Sequence, residues 1–311
     1  MSQGSNTLTV RLMGGLGNQF FQYAFGRRLA LANDAQLLLD ASGLARSADA
    51  DSSKGLRSCE LVEFNIVGTV AERDPDTWTD RRGLRMFRKA RRLLIELLDR
   101  FLPYYARREI VEPPGSYFRL DKRVYERVFH GALAARGFWQ SEKYFVEIGS
   151  LLRHELTLRD GLGVQNRRLV ETIRRPDSVA IHIRHGDNAT PVSKSLGVLP
   201  LAYYESALGA LKRELSGPKF FVFSDDIAWA ADLVREIAPD AEMVHNGSAG
   251  APQDLWAMSL CQHHVLANST FGWWGAWLGR KSGQIVYAPR RYYQNIDRPN
   301  PDLYPPDWRL I

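Results

Sequence analysis

The segment VAIHIRHGD, at positions 179–187, brings an imidazole, a guanidinium group and a carboxylate close together at the end of an apolar run. Alternation along a strand places His182 and Arg184 on one face. The fork of N–H donors on an arginine matches phosphate oxygens, so we expect Arg184 to bind a phosphate group. Asp187 is either the ion-pair partner of Arg184 or a general base, and His182 is either a core histidine or a ligand contact.

Two more polar loops follow apolar runs in the C-terminal half of the chain. The loop SDD (224–226) comes after KFFVF, and the loop NST (268–270) comes after HVLA. One carboxylate of SDD is expected to cap the next helix, which leaves the other for a ribose, a base edge or a divalent cation. The hydroxyls of NST, together with backbone N–H groups at a helix N-terminus, are suited to a diphosphate.

A fourth loop, GGLGNQ at 14–19, lies near the N-terminus. Its glycines let the backbone approach a ligand, and we expect Asn18 and Gln19 to hydrogen-bond sugar hydroxyls. The dinucleotide fingerprint would require a third glycine where this chain has Phe20. A hydride-transferring enzyme with Asp40 on the ribose is therefore disfavoured.

Aromatic residues follow the NST loop directly. Phe271, Trp274 and Trp277 recur at three-residue spacing, which places them on roughly one helix face. We expect Trp277 to belong to the core. Trp273 and Trp274 lie nearer the loop, where stacking on a sugar ring competes with a core position.

The elements around these loops alternate as strand and helix. A strand over 8–12, a helix over about 20–32 and a strand over 35–39 form a parallel unit, and strict alternation resumes at 178. Parallel sheets covered on both faces bind ligands beyond the carboxyl ends of their strands, where all four loops lie. The boundary between two α/β domains is expected within the polar stretch 159–177.

The composition restricts the class of protein. The 311 residues are enough for two cores, and no apolar run approaches the roughly 18 residues that a membrane span needs. The N-terminus lacks the features of a signal peptide, so a cytoplasmic protein is expected. Cys59 and Cys261 stand far apart without a ligand cluster and are expected to be inert.

One stretch carries more than the whole net charge of +6. Residues 81–108 contain ten Lys and Arg against two acids, with apolar residues at helical spacing. The stretch is either a solvated helix face or a peripheral contact with anionic lipids at the inner face of a membrane. Nucleic acid is not an expected partner, because no nucleic-acid-binding motif accompanies the charge.

Six motifs together resemble the bacterial α-1,2-fucosyltransferases of glycosyltransferase family 11. The matching segments, spread over nearly the whole chain, are GGLGNQFFQYAFGRRLA, GFWQSEKYF, VAIHIRHGD, FSDD, NSTFGWWGAWL and DLYPPDW. The resemblance implies a GT-B-like fold of two Rossmann-like domains facing a cleft. It divides the chain into an acceptor-side domain, 1–160, and a nucleotide-sugar domain, 161–311, with a C-terminal tail that is free to pack back on the first domain.

The resemblance also implies a reaction and a site. GDP-fucose is the donor, fucose is transferred with inversion to the 2-hydroxyl of a terminal β-galactose, and neither a cofactor nor a metal ion is required. Arg184 would hold the β-phosphate, and Arg184 and Asp187 are the expected catalytic pair. The expected donor-binding residues are Gly14, Gly15, His182, Arg184, Ser224, Asp225, Asp226, Asp254, Asn268, Ser269, Thr270 and Phe271, and the expected acceptor-binding residues are Asn18, Gln19 and Trp274.

The chain departs from the family pattern at two positions. His185 stands where the family usually has a second arginine, and Asn188 stands where it usually has an aromatic residue. The sequence therefore leaves open how charge in the site is compensated and how the acceptor fits it. Two rival hypotheses are a glycosyltransferase of the same fold with another donor or acceptor linkage, and a membrane-surface binding protein without the chemistry.

Overall fold

The computed structural model describes residues 6–44, 59–71, 101–113, 115–161, 167–186, 191–244 and 250–311. The chain divides into two compact units, Met1–Glu155 and Leu156–Ile311. This division lies five residues before the expected boundary at 160. The ligand roles of the two domains remain predictions.

The first unit contains a five-stranded parallel sheet with the order β3-β2-β1-β5-β4. Its strands are β1 (Asn6–Arg11), β2 (Ala35–Asp40), β3 (Thr69–Ala71), β4 (Glu109–Val111) and β5 (Ala132–Arg136). Its described helices are α1 (Leu16–Ala32), α2 (Lys122–Tyr125) and α3 (Gly149–Glu155), with short 3-10 turns at Glu60–Glu63, Tyr104–Ala106, Glu142–Tyr144 and Val146–Ile148.

Helix α1 begins four residues earlier than the sequence predicts. Gly14 turns the chain with a φ of +78°, and Gly15 is the N-cap in an extended conformation. Most side chains of α1 are buried, and a Cβ at Gly26 would lie 2.6 Å from Val10 Cγ2. Gly26 therefore lets a largely apolar helix pack closely on β1, and the turn at Gly14 and Gly15 leads directly into that helix.

The second unit confirms the predicted alternation, with a six-stranded parallel sheet of order β11-β10-β9-β6-β7-β8. Its strands are β6 (Ser178–Ile183), β7 (Lys219–Ser224), β8 (Glu242–Val244), β9 (His263–Val265), β10 (Val286–Ala288) and β11 (Arg309–Leu310). Its described helices are α4 (Arg167–Ile173), α5 (Pro191–Leu196), α6 (Leu201–Glu214), α7 (Ile227–Val234), α8 (Ala251–Leu260) and α9 (Thr270–Leu278).

The central strand β6 is buried on both faces. Ile181 and Ile183 pack with residues of α6 in one core layer, and Ala180 packs with residues of α8 in the other. Strand β11 is too short to show a sequence pattern, and it joins β10 in parallel. The end of the C-terminal tail is therefore part of the second unit's sheet.

Several expectations concern other parts of the chain. The basic stretch 81–108 lies outside the described residues except for 101–108. None of the helices within the described ranges has the length and apolar character needed to cross a bilayer. Cys59 and Cys261 are buried free thiols, and burial raises the pKa of Cys261.

Candidate functional site

Three of the four polar loops lie side by side in the second unit. Strand β6 pairs with β7 on one side and with β9 on the other, and all three run parallel. Their carboxyl ends therefore carry the segments 184–186, 224–226 and 268–270 at one edge of the sheet. The fourth loop, 14–19, follows β1 in the first unit.

The loop after β6 is held by Asp225. One carboxylate oxygen accepts the backbone N–H of His185 at 2.8 Å, and the other accepts that of Gly186 at 3.0 Å. Gly186 has a φ of +72°, and a Cβ there would lie 3.9 Å from the Arg184 guanidinium. Two bonds to one carboxylate thus fold the loop back over the arginine.

Arg184 is half-buried and takes part in none of the ion pairs formed between described residues. Its charge contributes to lowering the pKa of His182 and opposes the rise in the pKa of Tyr292, so it lies near both side chains. A guanidinium group in such a position is available to an anion. Asp187, the expected base, lies outside the described residues.

Asp226 has two protein partners. Its Oδ1 accepts the N–H of Trp229 at 3.0 Å and caps α7, as the sequence predicts for one of the two carboxylates. Its Oδ2 lies 3.0 Å from Nδ1 of His185, whose ring stacks on Trp229 at 4.5 Å. The hydrogen bonds from Trp229 and His185 lower the pKa of Asp226. Ser224 exchanges hydrogen bonds with the backbone of Asp226, which stiffens the turn.

His182 is buried against the start of α9. Its ring lies 5.6 Å from that of Phe271, and a Cβ at Gly272 would lie 2.6 Å from His182 Nδ1. Desolvation lowers the pKa of His182 to about 4, with a smaller lowering contribution from Arg184 and an opposing one from Asp225. His182 is therefore neutral near pH 7, and its Nδ1 has no hydrogen-bond partner among the described residues.

The NST loop is already occupied by protein contacts. The Asn268 amide nitrogen donates to the carbonyls of Leu196 at 2.7 Å and Tyr292 at 3.0 Å, so its hydrogens are used in joining three segments. Ser269 caps α9 by accepting the N–H of Phe271 at 3.2 Å. The side chains of Thr270 and Phe271 are half-buried at this edge. Their roles in donor binding remain predictions.

Tyr292 is a site residue that the sequence analysis missed. It is buried, its hydroxyl accepts the N–H of Thr270, and its charge interaction with Arg184 places it between α9 and the arginine. Burial raises its pKa well above the usual range. It lies in an irregular segment after β10, where no periodic pattern marks it as part of a site.

Asp254 lies farther along the same edge, in the first turn of α8. It is half-buried, and residues 245–249 lie outside the described residues. The neighbouring Gln253 has a buried Oε1 that no described residue contacts by a hydrogen bond. Asp254 therefore remains a predicted donor contact.

In the first unit, the glycine loop differs from the expectation. Only Gly14 has a positive φ, and a Cβ there would lie 2.4 Å from Asn18 Nδ2. Asn18 Oδ1 accepts a hydrogen bond from Gln140 at 2.8 Å. Gln19 is fully buried, donates to the Gly14 carbonyl and accepts the N–H of Glu60. The expectation that Gln19 faces a sugar is wrong in this structure, because both ends of its amide are bonded inside the protein.

Trp274 also differs from the expectation. Its ring is fully buried, and it lies 5.0 Å from Trp273 and 5.1 Å from Trp277. A sugar has no access to either face of a ring in this position. The core alternative holds for Trp273, Trp274 and Trp277 alike.

The sequence profile of glycosyl transferase family 11 matches residues 91–311. The chain belongs to this family. Within the ranges that the structure describes, this family 11 protein has no group of three or more His, Cys, Asp or Glu side chains that could hold a metal ion.

Two relatives of this family 11 protein have about the same sequence identity with it. An alpha-1,2-colitosyltransferase of Escherichia coli is 29% identical over 98% of both chains. The galactoside 2-alpha-L-fucosyltransferase Sec1 of Mus musculus is 31% identical over 63% of this chain and 56% of its own length. The solved structure of fucosyltransferase NodZ from Bradyrhizobium is 16% identical, covers 88% of this chain and 93% of that chain, and has a TM-score of 0.46.

The first prediction concerns the loop over Arg184. We expect Asp225→Asn to weaken the binding of GDP, the nucleotide of the expected donor, about fivefold to tenfold, because an amide oxygen replaces only one of the two acceptors and the NH₂ group faces the other N–H. Titration calorimetry with GDP measures the effect. Asp232→Asn, at an exposed position of α7, is the matched control. Equal affinities in the two variants would contradict the role of Asp225.

The second prediction concerns pH. Below pH 6.5 the unfolded chain protonates His182, whereas the folded chain does not until about pH 4, so stability falls as the pH drops through this window. The shift corresponds to about 3 kcal/mol. We expect His182→Gln to show a shallower loss of melting temperature from pH 7 to pH 4 than the wild type. The exposed His154→Gln is the control, and parallel curves for wild type and His182→Gln would refute the assignment.

Proposed function

We propose that this family 11 glycosyltransferase moves L-fucose from GDP-fucose to the 2-hydroxyl of a terminal β-galactoside, with inversion and without a metal ion. The observation that carries the proposal is the convergence of Arg184, the Asp225-held loop and the start of α9 at one sheet edge. Such an edge is where open parallel sheets bind nucleotides.

The diphosphate is the part of the donor that this edge fits best. When the glycosidic bond breaks, negative charge develops on the departing diphosphate, and a preorganised cation lowers the barrier. Arg184 has no carboxylate partner among the described residues, so its charge is not already neutralised there. The positive end of α9 begins at Thr270, beside Tyr292, and adds a smaller electrostatic contribution.

The nucleoside is proposed to lie against the carboxylates. Each oxygen of Asp225 accepts one N–H, which leaves a second lone pair on each for a ribose hydroxyl or a base N–H. Asp225 is exposed at the edge, whereas Asp226 is partly used by its cap and by His185. Asp225 is therefore the stronger donor contact of the two, and Asp254 is a further candidate.

The transferred sugar is inferred from the relatives. The mouse protein's name specifies a galactoside acceptor, fucose and the 2-position, and the E. coli protein's name specifies colitose in an α-1,2 linkage. Colitose differs from fucose only by the absence of the 3-hydroxyl group. Transfer of colitose is therefore the second candidate, and it is favoured by the 98% coverage of that relative.

The base that takes the acceptor proton is proposed to be Asp187, three residues after Arg184 in the sequence. An inverting single displacement needs a carboxylate or an imidazole near the acceptor hydroxyl. His182 does not suit this role, because it is buried against Gly272 and Phe271.

Product analysis tests the proposal. The protein is incubated with lactose and either GDP-fucose or GDP-colitose, with and without EDTA, and products are identified by mass spectrometry and linkage analysis. A 2'-fucosylated product that EDTA does not reduce is expected. Colitosylation alone would favour the second candidate. Absence of product, while GDP-fucose still raises the melting temperature, would refute lactose as an acceptor and retain the donor assignment.

The third prediction concerns Arg184. We expect Arg184→Lys to lower kcat/KM by about 100-fold, because an ammonium group does not reproduce the bidentate contact of a guanidinium fork. Steady-state kinetics with saturating acceptor measure the change. The control is Arg280→Lys, which alters an arginine that pairs with Asp307 and lies two residues after the C-terminal end of α9. Wild-type turnover in Arg184→Lys would remove the central assignment.

A further inference from the structure

The first unit contains a cationic pocket that is not part of the proposed donor site. The cavity measures about 390 Å³, and its described lining includes Arg107, Arg108, Arg127 and His130 together with Tyr105 and Phe129. None of the described lining residues is acidic. We refer to this cavity as the arginine pocket.

Arg127 lines the arginine pocket and is only 6% exposed. Its guanidinium donates to the carbonyls of Tyr104 at 3.1 Å and Arg107 at 2.8 Å, while its Nε has no hydrogen-bond partner among the described residues. A buried charge normally requires a counter-charge, and among the described residues Arg127 forms no ion pair. Among the described residues, no carboxylate therefore neutralises the charge of Arg127.

Neighbouring residues increase the positive charge. The guanidinium groups of Arg107, Arg123 and Arg127 lie 5.9, 4.9 and 5.7 Å from the centre of the Tyr104 ring. Asp121, the carboxylate in this group, pairs with Arg123 at 2.6 Å. Burial lowers the pKa of Arg127, which is the direction expected for a cation without a carboxylate partner.

Tyr105 lines the arginine pocket, and Phe101 and Val128 lie within a few residues of its lining in the sequence. We refer to these three exposed side chains as its apolar rim. Phe101, Tyr105 and Val128 are exposed by 84%, 75% and 68%, which is unusual for large apolar side chains so close in sequence to a pocket. A free phosphate ion would make no favourable contact with these apolar side chains. Apolar side chains beside a cationic pocket are the combination that binds the headgroup and acyl boundary of an anionic bilayer.

The location separates this pocket from the predicted sugar contacts. Its residues precede β4 and β5, whereas the loops 14–19 and 137–140 follow β1 and β5. A five-residue strand spans about 16 Å, so the two edges of the sheet are that far apart. The pocket therefore does not contact a sugar bound at the carboxyl edge.

We propose that the arginine pocket and its apolar rim form a docking site for phosphate headgroups of an anionic lipid surface. Arg127, Arg107 and Arg108 bind the headgroup phosphate, and Phe101 and Tyr105 enter the acyl boundary. The site is independent of the proposed reaction.

Vesicle cosedimentation of the full chain tests this proposal. Vesicles of phosphatidylcholine are compared with vesicles that also contain about 30% phosphatidylglycerol, at about 0.1 M and 0.5 M NaCl. We expect binding to the anionic vesicles only, reduced by high salt. Arg107→Gln/Arg108→Gln should weaken it about 30-fold, and Arg168→Gln/Arg235→Gln, with the same loss of charge on exposed positions of the second unit, should change it less than about twofold.

Additional variants separate the phosphate contact from the lipid contact. Phe101→Ser/Tyr105→Ser should lose vesicle binding but keep any stabilisation by pyrophosphate, measured as a rise in melting temperature. Equal vesicle binding by wild type and Arg107→Gln/Arg108→Gln would overturn the proposal. A stabilisation by pyrophosphate that Arg107→Gln/Arg108→Gln abolishes, without any vesicle binding by the wild type, would also overturn it, since the pocket would then bind a soluble phosphate. Product formation with a soluble acceptor should be unchanged in all of these variants.

Discussion

The two hydrogen bonds from His185 and Gly186 to the Asp225 carboxylate are the interaction on which the proposed site depends. They join the loop after β6 to the loop after β7 and hold the Arg184 guanidinium at the edge of the sheet. Charge-assisted bonds to backbone N–H groups are stronger than neutral ones, so a single side chain is sufficient to hold the loop. Without them, the arginine would lie on a glycine-containing segment free to sample other conformations.

Close packing at the start of α9 restricts two residues, His182 and Gly272. His182 is kept neutral by burial, and Gly272 is required because any Cβ would enter the imidazole. Because of this packing, the N-terminus of α9 lies directly beside the end of the central strand, β6. Both the helix dipole and the guanidinium are then available at one place, which is the arrangement that binds diphosphates.

Positive charge is used differently in the two units. In the second unit, Arg184 lies among groups that hold a loop and cap helices, which suits a small ligand bound in one orientation. In the first unit, several arginines surround Tyr104 beside exposed aromatic and aliphatic side chains. This second arrangement has a broad rim and suits an extended surface.

The sequence by itself determined most of the alternation of strands and helices in the second unit, the position of Arg184 after a buried strand, a helix N-cap from one of the two carboxylates of SDD, and the family, because these follow from local periodicity and short motifs. It did not reveal that the side-chain amides of Gln19 and Asn268 form hydrogen bonds within the protein, or that Trp274 is fully buried. It also did not reveal that Tyr292 lies at the candidate donor site or that Arg127 lines the arginine pocket. Only the tertiary structure decided these points. The reason is that the hydrogen-bond partners are distant in the sequence: Asn268 donates to a carbonyl 72 residues away, and Gln19 accepts a backbone N–H 41 residues away. The packing of distant segments therefore decides whether a polar side chain is bonded within the protein or available to a ligand.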